Sequence, residues 1–126
     1  MTITVERMSL GVFDVDVAGK KIRMDSSGNE GVSPAGMFLA SFAACIAVYA
    51  EAYCKNAGIS TEGLKVEFDY ERLQNPGMFT NFKAKLIFSK DADLKGREKA
   101  IVKAAEQCLV HESMKEFKGV EITLKK

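Results

Sequence analysis

Three cysteines, Cys45, Cys54 and Cys108, and a single histidine, His111, are the side chains best equipped for chemistry in this sequence. Two thiols can cycle between dithiol and disulfide, and a thiolate can attack an electrophile such as a peroxide. Cys45 stands eleven residues after Pro34 in an apolar run of helical character, and Cys54 follows nine residues later. At about 100° per residue, nine steps place them on opposite faces and ~13 Å apart along the axis, so an intact helix keeps them from bonding to each other. Cys108, in a second helical stretch, is then the only candidate partner for Cys45, although spacing does not establish that they meet. A plainer reading competes. Free cysteine is among the most buried residue types, and Ser41, Phe42, Val48 and Tyr49 flank Cys45 at helical spacing, as an ordinary core would. Spacing leaves Cys45 and Cys108 open between redox and packing roles and makes Cys54 a core residue. A thiol in mid-helix also lacks backbone donors, so a thiolate at Cys45 needs a neighbouring cation.

Other chemistries find little support. There is no Cys-x-x-Cys pair, and one histidine cannot complete a four-ligand zinc site, so neither metal nor cofactor is expected. No glycine-rich strand-to-helix loop suggests phosphate binding. Eighteen basic and seventeen acidic residues leave a net charge of +1, without the basic stripe that nucleic acid requires. The segment Met1–Leu10 carries Glu6 and Arg7 and no apolar signal-peptide run. The weakly polar stretch from Met37 to Ala50 falls short of the roughly twenty residues that span a bilayer and reads as a buried helix. A cytoplasmic protein with no membrane partner is expected, folded as one domain over residues 1–126.

The elements that must position the thiols can be read from periodicity. Thr2–Met8, Leu10–Val17 and Lys20–Asp25 alternate as strands, with Ala18-Gly19 as a turn and a polar, Gly-rich loop from Asp25 to Gly31. Ser33-Pro34 starts a helix, Ser as N-cap and Pro in the first turn, and Gly58 stops it after Asn56 or Ala57. Leu64 to Glu71 and Phe82 to Phe88 alternate as partner strands about the turn Gln74-Asn-Pro-Gly77. A second helix is expected from Leu94 to Leu109, capped by Asp91 or Asp93, with Ile101, Ala104, Ala105 and Cys108 on one stripe. Val120, Ile122 and Leu124 alternate in a last strand. The order is β-β-β-α-β-β-α-β, an α+β fold with an antiparallel sheet and two main helices.

Two strings add a further line. Gly31-Val-Ser-Pro34 precedes an apolar helix carrying Ala43-Ala44-Cys45, and Ala105-Glu106-Gln107-Cys108-Leu-Val-His111 closes the second helix. Together they resemble the paired cysteine motifs of the OsmC/Ohr superfamily, and the element order fits along the whole chain. The resemblance implies an intertwined homodimer with its long central helices packed together and two active sites at the interface. It implies a thiol-dependent peroxidase in oxidative stress defence, with Cys45 as peroxidatic and Cys108 as resolving cysteine. A peroxide, organic hydroperoxides among them, would be the substrate, and a dithiol, for some members a lipoyl-type one, the reductant. The sequence departs from the family where a glutamate normally follows the motif proline: here Ala35 and Gly36 stand. That glutamate helps hold an arginine over the thiolate, and of Arg7 and Arg23 neither sits in a recognisable motif. Arg23, Glu51 and His111 are candidates for supporting roles, and Glu30 could supply the missing carboxylate. Phe38, Phe42, Tyr49 and Phe79 could wall an apolar pocket. The alternative is a non-catalytic module of the same fold, binding a small apolar ligand at the dimer interface.

Overall fold

The computed structural model describes residues 2–126. In chain order it contains β1 (Ile3–Ser9), β2 (Val12–Val17), β3 (Lys20–Asp25), α1 (Pro34–Asn56), β4 (Lys65–Gln74), β5 (Gly77–Ile87), α2 (Glu98–Glu106) and α3 (Leu109–Lys115). The architecture is α+β, with antiparallel sheets and helices. Two compact units make up the chain, Met1–Ser41 and Phe42–Lys126, and α1 runs from one into the other.

In the first unit β1, β2 and β3 form an antiparallel meander. The register runs from Ile3 opposite Val17 to Arg7 opposite Phe13, then shifts at a bulge before Ser9 meets Val12. Val12 and Val15 are its buried apolar side chains. The expected turn is present: Ala18 and Gly19 both take positive φ, and the Gly19 N–H donates to Asp16 Oδ1 at 2.9 Å. Asp25 organises the following loop. Its buried carboxylate accepts from the backbone N–H of Glu30 (2.9 Å) and from the N–H (2.8 Å) and hydroxyl (2.7 Å) of Ser27. These donors, Glu30 first, hold the Asp25 carboxyl below the usual carboxylate range. Gly31 closes the loop where only glycine fits, because a Cβ there would collide with the Arg23 carbonyl oxygen.

The long helix behaves as its ends predict. Ser33 Oγ accepts from the Gly36 N–H at 3.0 Å, an N-cap bond to the third helical residue. At the other end Gly58 takes φ +70, and the N–H groups of Ile59 and Gly58 reach back to the carbonyls of Cys54 (2.8 Å) and Lys55 (3.3 Å). This paired return satisfies carbonyls that the helix end would otherwise leave unbonded. Cys54 and Ile59 are both buried at that junction, which gives Cys54 a structural role. At 23 residues α1 is longer than the weakly polar stretch suggests, and by length and apolar composition it could cross a bilayer. Core helices share that property, and the buried Phe42, Ile46, Ala50 and Cys54, spaced by four, mark one face of α1 as packed against protein.

In the second unit β4 and β5 form a long hairpin, paired from Lys65 opposite Ile87 to Gln74 opposite Gly77, with a bulge between Asp69 and Glu71. Four expectations need correction. The strands form two separate sheets, of three and two strands, rather than one. The second helix starts at Glu98 and not Leu94, because Asp93 Oδ1 captures the Lys95 N–H at 3.0 Å and Lys95 and Gly96 both adopt positive φ. It also ends at Glu106, with Cys108 in extended conformation (φ −61, ψ 146) heading the separate α3. Finally, no strand follows α3 among the described residues: Ile122 and Leu124 are 87% and 91% exposed. A strand exists only against a neighbouring edge, and residues 118–126 pair with none.

Candidate active site

The second unit brings Cys45, Cys108 and the backbone of His111 together. Cys45 lies in the middle of α1, partly open to solvent, and the Cys108 thiol beside it is fully buried. The Cys45 thiol is among the neighbours that influence the Cys108 thiol. Cys54, nine residues along α1, is fully buried and apart from them.

The break between α2 and α3 gives Cys108 a setting that an unbroken helix would deny it. As the residue before α3 it has non-helical backbone angles, and its Sγ accepts the His111 N–H at 3.3 Å. The first N–H groups of a helix have no carbonyl partner within it, so a sulfur there can take one. Burial is the largest influence on the Cys108 thiol and pushes its pKa up. The His111 N–H opposes this, the neighbouring Cys45 adds to it, and the Val110 N–H opposes it again. The net result is a raised value, so Cys108 is a neutral thiol at neutral pH. Burial alone pushes Cys54 up in the same direction.

His111 differs from its expected setting at a helix C-terminus. The helix does not continue through it, and it stands in the first turn of α3. Its ring Nδ1 lies 2.7 Å from the Glu106 carbonyl oxygen, and since a carbonyl only accepts, Nδ1 carries the proton in this contact. The ring centroid sits 6.0 Å from that of Phe42. His111 therefore touches Cys108 through its backbone, while its imidazole faces an aromatic cluster.

That cluster is Phe42 with Phe68 and Phe82, at centroid distances of 5.2 Å and 5.9 Å, in tilted arrangements typical of aromatic pairs. It walls a cavity of about 470 Å³ completed by Ile46, Leu86 and Ala105, with Lys85, Glu106 and His111 supplying the polar atoms. This volume is within the usual range for small-molecule pockets. Of the four aromatic residues suggested by the sequence as pocket walls, only Phe42 lines this cavity. Phe79 instead packs edge-on against Tyr70 at 5.2 Å, farther along the hairpin. The signal for Phe68 and Phe82 was present in the strand alternation, which needs the hairpin register to place both on one face.

The other candidates stand elsewhere. Arg23 donates from Nε to Asp14 Oδ1 at 2.7 Å and from its second terminal nitrogen to Oδ2 at 3.0 Å, and lies 3.7 Å from Glu30. A guanidinium held by two carboxylates is thus present within the first unit, and the hydrogen bond from Arg23 holds the Asp14 carboxyl low. Glu51 is exposed on α1, six residues from Cys45 and so about 120° around the helix from it. Among the described residues no group of three or more His, Cys, Asp and Glu could hold a metal ion.

The OsmC-like protein family matches residues 27–125, from the Asp25 loop to the tail. No curated protein matches the sequence. Among solved structures, an OsmC-like protein from Mycoplasma pneumoniae aligns with a TM-score of 0.77 at 16% identity, over 90% of this chain and 86% of its own. The organic hydroperoxide resistance protein OhrB of Bacillus subtilis aligns with a TM-score of 0.57 at 20% identity, over 90% and 88%. An OsmC-like hydroperoxide resistance protein from Jannaschia sp. CCS1 gives 0.58 at 18%, over 97% and 89%. At these identities the likeness is one of fold. The family match over most of the sequence, on a fold shared with solved OsmC-like structures, places this chain in the OsmC-like protein family.

Proposed function

We propose that the protein is a thiol-dependent peroxidase that reduces organic hydroperoxides or related peroxides, as part of defence against oxidative stress. The observation that carries this reading is that two thiols from different elements are close enough to influence each other, one partly open and one buried. Its context supports it: the family includes proteins named for hydroperoxide resistance, two of which share this fold.

The cycle follows from the two settings. Cys45, the accessible thiol, attacks as thiolate the terminal oxygen of the hydroperoxide. An S–O bond forms, the O–O bond breaks, and the alkoxide leaves as alcohol once protonated, giving a sulfenic acid on Cys45. The Cys108 sulfur then attacks Cys45, an S–S bond forms, and hydroxide leaves as water. A dithiol supplies the two electrons that restore the pair. The apolar cavity beside Phe42 and His111 fits the alkyl or aryl body of a hydroperoxide.

The working unit of this proposal is a homodimer. Its support is the apolar alternation of Val120, Ile122 and Leu124, which stands exposed in a single chain and which an edge of a second chain would cover. A reducing compartment, the cytoplasm, suits a pair that must return to the dithiol. The cavity also favours a second reading, a non-catalytic module that holds a small apolar ligand, because the glutamate that usually follows Pro34 is replaced by Ala35.

The experiment is hydroperoxide consumption with a small dithiol as reductant. Cys45→Ser is expected to reduce it to the uncatalysed rate, and Cys108→Ser to leave a sulfenic acid on Cys45 that dimedone captures. If wild type consumes no hydroperoxide with any of several dithiols, the binding reading replaces this one.

A further inference from the structure

We infer that the Cys45–Cys108 disulfide is opened from one side only: the reducing thiolate attacks Cys45 Sγ, and Cys108 Sγ is the sulfur expelled. This inference rests on the peroxidase reading and adds the direction of its last step, which decides where the reductant must dock.

Access carries the inference, and one backbone donor assists the step. Thiol–disulfide exchange needs the incoming sulfur, the attacked sulfur and the leaving sulfur nearly in line, so the attacked atom must be approachable from the side away from its partner. Cys45 is partly open to solvent, whereas Cys108 has no exposed surface, and an in-line approach to it would pass through packed protein. The donor assists at the leaving sulfur, which departs with the electron pair of the broken bond. Burial disfavours that charge on Cys108, and the His111 N–H, directed at its Sγ at 3.3 Å, offsets part of the cost.

The step balances as follows. A thiolate of the reductant forms a bond to Cys45 Sγ as the Cys45–Cys108 bond breaks, and Cys108 becomes a thiolate that then takes a proton from water. The reductant's second thiol, as thiolate, attacks its own sulfur in the mixed disulfide, and Cys45 is released as the dithiol closes to a disulfide. The reductant is accordingly a dithiol that meets the surface around Cys45 and never touches Cys108.

The test uses wild-type protein oxidised with diamide, so that no peroxidase turnover is needed to form the bond. The oxidised protein is mixed with excess glutathione, quenched in acid at early times, alkylated and mapped by peptide mass spectrometry. Glutathione on the Cys45 peptide, with alkylated Cys108, is the expected result. Glutathione on Cys108 overturns the inference and leaves the peroxidase reading standing. Absence of any Cys45–Cys108 disulfide after diamide overturns both. A second measurement isolates the donor. His111→Pro removes the backbone N–H at a first-turn position that tolerates proline, and His111→Ala removes only the ring. His111→Pro is expected to be reduced roughly three- to tenfold more slowly than His111→Ala, from the poorer leaving group. Equal rates in the two variants contradict the role given to the N–H.

Discussion

Cys45 and Cys108 carry the same side chain in opposite settings. Cys45 is held in an unbroken helix, with its backbone fully used and its sulfur partly open. Cys108 lies where two short helices fail to join, its sulfur buried but bonded to a backbone N–H. The difference shows how a fold divides labour between identical groups through burial and backbone geometry. Access decides which thiol meets a reagent from solution, and a helix break gives the buried one a backbone donor.

The comparison can be broken in several places. The largest effect expected is in alkylation of the reduced native protein. Cys45 should react at least about a hundredfold faster with iodoacetamide than Cys108 or Cys54, since both of these are buried and protonated at neutral pH. Site-resolved mass spectrometry reads this directly, and comparable rates at Cys45 and Cys108 would erase the distinction.

Packing beneath the break comes next. Ile101, only 2% exposed, anchors α2 one turn before Ala105. Ile101→Ala is expected to cost about 2–5 kcal/mol in denaturant unfolding and to raise the alkylation rate of Cys108 relative to Cys45. Loss of stability with an unchanged rate ratio would detach the seclusion of Cys108 from α2.

Alkaline pH gives a smaller effect with a definite sign. The Cys54 and Cys108 thiols titrate higher in the folded chain than an ordinary thiol does. Their stabilising contribution is therefore complete below the ordinary thiol pKa of about 8.5. It declines as pH rises through the raised values, because there the unfolded chain has given up protons that the native state keeps. Unfolding midpoints should fall above about pH 8.5, and Cys54→Ala should flatten the slope.

The smallest effect belongs to the other unit. The Asp25 carboxyl titrates low because Glu30 and Ser27 donate to its charged form, so its contribution is present at neutral pH and is lost as pH falls below about 4. Asp25→Asn should speed amide exchange at Ser27 and Glu30, leaving the alkylation ratio of the two thiols unchanged.

The readable parts of the sequence were those whose physics is local. Ser33, Pro34 and Gly58 bound α1 because capping and termination depend on one or two residues, and strand alternation marked the meander and the hairpin. The misread parts depend on competition or on partners. Asp93, Lys95 and Gly96 redirect the chain before α2 through a side-chain hydrogen bond that no periodicity reveals. The break at Gln107 and Cys108 contains neither glycine nor proline, so the apolar stripe from Ile101 to Cys108 looked continuous. Val120, Ile122 and Leu124 carry a strand pattern, but no neighbouring edge pairs with them. At the site, the sequence could nominate Cys45 and Cys108 but not their proximity. Nor could it find Phe68 and Phe82, which meet Phe42 only through the β4–β5 register.

Most directly, the account stands on what happens when reduced protein meets one equivalent of an organic hydroperoxide under non-reducing conditions and is then digested and mapped. It predicts a single new linkage, an intrachain disulfide between Cys45 and Cys108, with Cys54 still a free thiol. A linkage through Cys54, or Cys45 carried to sulfinic acid while Cys108 remains a thiol, would contradict it.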